Sequence, residues 1–302
     1  VDTHKLACRA ALAALLLPAA AFAQTDFSKV EIKTTKLSDT TYMMEGSGGN
    51  LGLSIGDDAV FLIDDQFAPL TEKIKAAIAK ISPRPVRFVL NTHLHFDHTG
   101  GNENFGNAGA VIVAHENVRK RMSSEQVIEL FKQTIPASPR AALPIVSFAT
   151  SVTFNVNGDE IRAIHVAPAH TDGDSIVYFV KSDVVHMGDT YFNGMYPFID
   201  TSSGGRIDGM IAACDMVLGF VSDKTRIIPG HGPLSNKAEL AAYREMLATV
   251  ASRIRRLVAD GKTPEEIVAA NVTADLDAKW GNGFLKAGKF TEMVALNLIK
   301  NR

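Results

Sequence analysis

Asn91-Thr92-His93-Leu94-His95-Phe96-Asp97-His98-Thr99-Gly100-Gly101 places four candidate metal ligands, His93, His95, Asp97 and His98, within six residues. A borderline-soft divalent ion such as zinc takes imidazole nitrogen and carboxylate oxygen, and a catalytic site keeps one coordination position open for water. A polar loop whose histidines bond only to water is the bland alternative, but three of the nine histidines crowd into these six positions. Just before them Val86 to Leu90, following Pro83 and Pro85, is a short apolar run that reads as a buried strand. The histidines therefore stand where a strand gives way to a loop. On an extended backbone, positions two apart share a side, so His93 and His95 can converge on one ion while Asp97 and His98 turn towards a second.

One loop cannot complete two sites, so further ligands must arrive from the ends of other strands. His170 lies in Pro168-Ala-His-Thr-Asp-Gly-Asp174, after the alternating segment Glu160 to Val166. Asp189 lies in His186-Met-Gly-Asp-Thr-Tyr-Phe192, and His231 in Ile227-Ile-Pro-Gly-His-Gly-Pro233, where flanking glycines let backbone and ion approach closely. Each alone reads as an ordinary turn residue. Taken in order, H-x-H-x-D-H, then His, then Gly-Asp, then Gly-His-Gly resembles the metallo-β-lactamase-fold hydrolase superfamily over roughly residues 40 to 235.

The resemblance implies an α/β (α+β) fold, an αββα sandwich with the site along one edge. Residue by residue, it implies that His93, His95 and His170 hold a first metal, that Asp97, His98 and His231 hold a second, and that Asp189 bridges them. Asp189 stands where secreted zinc β-lactamases usually have Cys. Phe192 stands where many carry a Lys that pairs with the antibiotic's carboxylate. Both departures count against an efficient antibiotic hydrolase, and Gly-Asp-Thr-Tyr-Phe looks instead like the glyoxalase II and lactonase branches.

Two divalent ions roughly 3.5 to 4 Å apart can share a hydroxide, lower the pKa of water towards about 7, and polarise a carbonyl or phosphoryl oxygen. The expected cofactors are two zinc ions, and the same ligand types also admit iron or manganese. The expected reaction is hydrolysis, by a metal-bridging hydroxide, of a small ester, thioester, lactone or cyclic amide, with β-lactam hydrolysis as a main or side activity. Asp97 is the candidate catalytic carboxylate, able to accept a proton from the attacking water. Three readings compete: a phosphodiesterase, an iron-dependent oxygenase of the persulfide type, and a metal-binding relay without turnover. Retention of all seven ligands favours two metals, and His95 in place of a Glu argues against the di-iron flavoprotein branch. No Ser/His/Asp or Cys/His arrangement is visible, and Cys214 is isolated in an apolar stretch.

At the amino end Lys5 and Arg9 precede the apolar run Ala10 to Leu17, and Ala21 and Ala23 form an A-x-A pattern before Gln24. This reads as a secretory signal over residues 1–23, cleaved after Ala23, and it places the enzyme in a periplasm or beyond. Cys8 would leave with it, so Cys214 would have no disulfide partner. A permanent anchor is the competing reading, but the apolar core is short of the ~20 residues a span needs, and no later run reaches that length. The formal charge of −2 over 302 residues offers no case for nucleic acid. Arg253, Arg255 and Arg256 read as the solvated face of a helix. The expected partner is a small-molecule substrate.

Residues 24–235 read as the sandwich. Strands are expected at Thr41 to Met44, Leu51 to Ile55, Ala59 to Asp64, Ala110 to Ala114, Ser175 to Val180, Val184 to Met187 and Arg226 to Ile228. Val152 to Val156 and Glu160 to Val166 should form a hairpin about Asn157-Gly158. Helices are expected over Leu70 to Ile81, His115 to Lys132 and Ile207 to Phe220. Thr134 to Pro144 carries three prolines, excludes a regular element, and can either shape the substrate entrance or merely connect. Residues 236–302 read as a helical extension packed on the sandwich, with helices over Lys237 to Asp260, from Thr263-Pro264, and over Phe290 to Lys300. Trp280, Phe284 and Phe290 are assigned to core. Tyr191, Phe192, Tyr196 and Phe198 can line an apolar pocket, Asp172 or Asp174 can orient the His170 ring or satisfy its turn, and His115, His165 and His186 fall outside the ligand pattern.

Overall fold

A computed structural model describes residues 26–301, so the signal segment read over residues 1–23 and its cleavage site lie outside the described residues. The first sheet is built from β1 (Lys33–Lys36), β2 (Thr41–Glu45), β3 (Leu51–Ile55), β4 (Val60–Ile63), β5 (Val86–Leu90) and β6 (Val111–His115), in that order. A hairpin of β7 (Gln126–Ile128) and β8 (Gln133–Ile135) stands apart, and β9 (Val146–Phe148) closes the first sheet beside β6. The second sheet runs β10 (Ser151–Val156), β11 (Asp159–His165), β12 (Ser175–Phe179), β13 (Val184–His186) and β14 (Arg226–Ile228). The helices are α1 (Thr71–Ala79), α2 (Phe96–Thr99), α3 (Asn102–Asn107), α4 (Glu116–Met122), α5 (Ile207–Leu218), α6 (Lys237–Ala259), α7 (Pro264–Ala269), α8 (Asp277–Trp280) and α9 (Ala287–Lys300).

Alternation along the strands sorts the apolar side chains into layers. In β4, Phe61 and Ile63 join the core between the sheets, while Val60 and Leu62 turn outward against Ile74, Ala77 and Ile78 of α1. The second sheet repeats the division. Val177, Val184 and Ile228 face the first sheet, whereas Ile176, Val185 and Ile227 face α5, α6 and α9. Strands buried on both faces explain why these segments read as continuous apolar runs. The result is the expected αββα order of layers.

Asn157 and Gly158 both take positive φ, 56° and 70°, and turn β10 into β11 as expected. The Asn157 amide then donates to Ser54 Oγ at 3.0 Å and Ala59 O at 2.9 Å, tying the second sheet to the first. The cap read at Thr263-Pro264 is present as a reciprocal pair with Glu266.

Three expectations change. The helix read over His115 to Lys132 ends at Met122, because Ser123 and Ser124 bond back to the Arg119 and Arg121 carbonyls and satisfy the helix terminus. β-Branched Val127 and Ile128 then enter the hairpin. The Pro-rich segment from Thr134 is not wholly irregular: its first residues lie in β8, and Arg140–Ala142 forms one 3-10 turn. The metal loop itself coils into α2 and α3 directly after His95. Beyond these, β1 and β9 were not anticipated; both are short edge strands with half-polar sequences.

The carboxy-terminal helices share one apolar core with the outer face of the second sheet. Leu240, Tyr243, Leu247 and Ile254 of α6 and Phe290 and Val294 of α9 pack with Tyr191, Tyr196 and Met210. Trp280 and Phe290 are buried as expected, but Phe284 is 59% exposed and is not core.

Candidate metal centre

All seven ligand candidates converge at the ends of β5, β13 and β14 and the loop after β11. His93, His95, His170 and Asp189 form one group, and Asp97, His98 and His231 a second; within each group the candidate ligand atoms lie within 4.8 Å of one another. Asp189 reaches into both. Its Oδ2 lies 3.7 Å from His93 Nε2, 3.5 Å from His170 Nε2 and 3.3 Å from His231 Nε2, while Oδ1 lies 3.0 Å from His98 Nε2. Asp97 Oδ2 stands 3.3 Å from His231 Nε2 and 3.7 Å from His98 Nε2.

Hydrogen bonds on the far side of each ring decide which nitrogen is left for a cation. His98 Nδ1 donates to Asp64 Oδ2 at 2.8 Å, His170 Nδ1 to Phe198 O at 2.8 Å, and His95 Nε2 to Asp200 Oδ2 at 3.1 Å. The Thr92 hydroxyl donates to Asp64 at 2.7 Å and therefore accepts from His93 Nδ1 at 3.0 Å. His93, His98 and His170 thus turn Nε2 inward, and His95 turns Nδ1 inward. The free nitrogens of His95 and His170 face each other at 2.8 Å, an opposition of lone pairs that a cation between them resolves. His93 Nε2, His98 Nε2 and Asp189 Oδ1 are buried without a hydrogen bond, the approach of His98 to Asp189 Oδ1 being close but misaligned. Buried polar atoms are seldom left so, and this donor set fits divalent metal ions.

The two groups differ in charge before any cation binds. Burial, reinforced by His98, holds the His93 imidazole well below its usual range, and burial takes His170 down to about 4. Burial opposes charge on the other two rings as well, yet Asp189, Asp97 and Asp64 hold His98 well above its usual range, and Asp189 and Asp97 raise His231 to about 10. Asp97, despite burial, is drawn down to about 2 by His98 and His231. A metal must displace the protons of His98 and His231, whereas His93 and His170 are neutral at pH 7. Zinc titration of metal-free protein near pH 7 should therefore release the ring protons of His98 and His231 with the second equivalent, in addition to any proton given up by metal-bound water. The second zinc should be lost first as pH falls. Calorimetry in buffers of different ionisation enthalpy measures this, and proton release confined to the first equivalent would contradict it.

Close packing around the ligands is also exacting. A Cβ on Gly49 would stand 2.1 Å from Cε1 of His98, whose ring Asp64 holds in place. Gly49→Ala should lower zinc stoichiometry from two towards one by elemental analysis, with secondary structure intact; two tightly held ions would refute it. Gly230 leaves comparable room for Asp189.

Several auxiliary residues were invisible to sequence reading. Asp64 and Asp200 each orient a ligand ring, yet Asp64 looked like the end of a strand and Asp200 had no motif. Asp174 holds the chain, not the ring: its carboxylate accepts from the backbone N–H of His170 and Thr171 and from the Thr171 hydroxyl. Asp172 pairs with Arg121 at 2.7 Å. Phe192 and Phe198 line a cavity over the metal ligands, as does Phe284, while Tyr191 and Tyr196 turn into the core and bond Ser235 and Asp277. His115 stacks on His165 at 3.6 Å, and His186 is buried with Nε2 donating to Asn50 O. Cys214 is buried, and burial pushes its thiol up, which argues against a nucleophile.

A His/Asp centre of this kind, on the edge of an αββα sandwich, defines a metal-dependent hydrolase. Residues 47–246 match the model of the metallo-beta-lactamase superfamily, and the chain belongs to that superfamily. It is 24% identical over 220 residues to a hydroxyacylglutathione hydrolase of Polaromonas sp., covering 72% of this chain and 74% of that protein. A match of 28% identity over 144 residues to the 2,4-dinitroanisole O-demethylase subunit alpha of Nocardioides sp. covers 46% of this chain and only 40% of that protein. Among solved structures, a metallo-beta-lactamase from Pontibacter korlensis superimposes with a TM-score of 0.60 at 20% identity, over 72% of this chain and 99% of that one.

Proposed function

We propose that this protein is a dinuclear zinc hydrolase of small esters, thioesters, lactones or cyclic amides. His93, His95 and His170 would hold one ion, Asp97, His98 and His231 the other, and Asp189 both. The observation that carries the reading is the pair of ligand groups sharing Asp189, with the inward nitrogens of His95, His98 and His170 set by far-side hydrogen bonds. Two such ions supply Lewis acidity towards a carbonyl oxygen and a nucleophilic water at neutral pH.

The chain's own groups do the rest. Most of the ligands are buried, but Asp97 and His231 each keep 21% of the side chain accessible, and both line the cavity. Asp97 is positioned to accept a proton from water entering there. Thr92, Asp64, Asp200 and the Phe198 carbonyl keep the rings from rotating. The proposal extends to export through residues 1–23, which the basic flank, apolar core and A-x-A pattern support, and to residues 236–302 as an extension of the sandwich.

Elemental analysis of protein purified without added metal, paired with ester, lactone, thioester, β-lactam and phosphodiester assays on the same sample, tests the proposal. Two zinc ions per chain and chelator-sensitive turnover of an acyl substrate are expected. One iron with thiol-dependent oxygen uptake would move the protein to the oxygenase reading, and bound metal with no turnover of any class would make it a relay.

A further inference from the structure

The cavity above the ligands has a volume of about 290 Å³ and a wall made of Phe67, Phe96, Ile128, Phe192, Phe198 and Phe284. Gln133 adds one neutral polar group. Every ionisable residue in its described lining, His95, Asp97, Asp189 and His231, is a ligand candidate; no lysine or arginine is among them. The wall is assembled from separate parts of the chain: Ile128 and Gln133 from the β7–β8 hairpin, Phe96 from α2, Phe192 and Phe198 from the segment after Asp189, and Phe284 from the carboxy-terminal region.

Two of these rings are open to solvent although large apolar side chains favour burial: Phe96 is 40% and Phe284 59% exposed. The chain on either side of Phe284 is nevertheless anchored. Tyr196 N–H donates to Trp280 O at 2.9 Å, the Tyr196 hydroxyl donates to Asp277 Oδ1 at 2.7 Å, and Tyr196 stacks on Phe290 at 4.5 Å. Gly283 lies so close to Met195 that a Cβ there would approach the Met195 Cβ to 2.6 Å. The extension is thereby joined to the segment that carries Phe192 and Phe198. Exposed aromatic rings lining a concave site suit contact with an apolar ligand.

An anionic substituent pressed against this wall, away from the metal ligands, would lose its hydration with no lysine or arginine of the described lining to replace it, and aromatic ring faces carry negative potential. An alkyl or aryl substituent gains by leaving water there. Resting on the hydrolase reading above, we infer that the site selects acyl substrates whose acyl group is uncharged and apolar, and that it discriminates against those carrying a carboxylate on that group. Ile128 and Phe284 are specificity determinants. Hydrolysis adds water across the acyl–oxygen bond and releases a carboxylate and an alcohol or phenol.

The test uses the zinc-loaded full chain and the 4-nitrophenyl esters of acetic, butyric and hexanoic acid, with the mono-4-nitrophenyl ester of adipic acid as the carboxylate-bearing match for the hexanoate. Expected are a rise in kcat/KM of about fourfold per methylene and a preference of roughly a hundredfold for hexanoate over adipate monoester. Phe284→Ala and Ile128→Ala should flatten the chain-length slope at unchanged zinc content. Phe284→Lys should raise adipate monoester turnover while lowering that of hexanoate. Lys132, exposed at the hairpin tip, is the nearby cation to exclude, and Lys132→Ala should leave the ratio unchanged. Equal or better turnover of the adipate monoester, or a preference abolished in Lys132→Ala, would overturn the inference while the hydrolase reading stands. Calorimetry with hexanamide and adipic acid monoamide reads the wall without turnover. If no ester, thioester, lactone or β-lactam is cleaved, the hydrolase reading falls, but tighter binding of hexanamide still supports the wall and equal binding overturns it.

Discussion

Asp189→Ala should reduce kcat/KM by about a thousandfold or more, since several kcal/mol of charge stabilisation depend on metal held correctly. The carboxylate lies between the two ligand groups, with oxygens 3.0 to 3.7 Å from four imidazole nitrogens. Among the described residues no other carboxylate in the centre spans both. Without it each group keeps three histidines or two histidines and Asp97, but the link that places two cations side by side is gone. The fold should survive, because the layers are built from apolar contacts elsewhere. Zinc stoichiometry, circular dichroism and kcat/KM on one preparation check this, with His95→Ala in parallel. Wild-type turnover with two bound zinc ions in Asp189→Ala would remove the bridging assignment.

Asp64→Ala should weaken zinc binding by about 10- to 100-fold, the usual consequence of losing a group that orients a ligand, and should destabilise the protein by about 2 to 4 kcal/mol. Asp64 accepts from Thr92 N and Thr92 Oγ1 at 2.7 Å and from His98 Nδ1 at 2.8 Å, so one buried carboxylate fixes the start of the metal loop and one of its rings. Its removal strands three buried donors. Asp64 also sits at φ 59°, a conformation that Asp tolerates better than most residues. Asp64→Gly separates the two effects: it suits the backbone yet removes the acceptor, so its zinc affinity should fall as far as that of Asp64→Ala. Competition with a chromophoric chelator gives the affinities and thermal unfolding the stability; unchanged affinity in the glycine variant would show that Asp64 acts through the backbone alone.

The candidate ligands and their convergence were legible because metal coordination sharply restricts residue type. His, Asp and flanking Gly recurring in one order at strand ends suit few chemistries besides metal binding. The apolar strands of both sheets were legible through periodicity and turn residues, Asn157-Gly158 above all. Reading failed at residues 115–135, where apolar positions at helical spacing continue past Ser123-Ser124 although the helix does not. It failed again at Phe284, since an aromatic residue in a helical tail is ordinarily core, whereas this one is exposed and lines the cavity.

By itself, the sequence determined which residues are candidate metal ligands and that they lie at the ends of strands, because both depend on residue type and local spacing. Only the tertiary structure decided which nitrogen of each ring faces inward, since that follows from acceptors as remote as Asp200 for His95 and Phe198 for His170. It alone decided the wall of the cavity as well. Phe67 and Phe284 stand 217 positions apart in the chain, no periodicity relates them, and they line one cavity because the first sheet's outer layer positions Phe67 while the core shared by the carboxy-terminal helices and the second sheet holds the chain around Phe284.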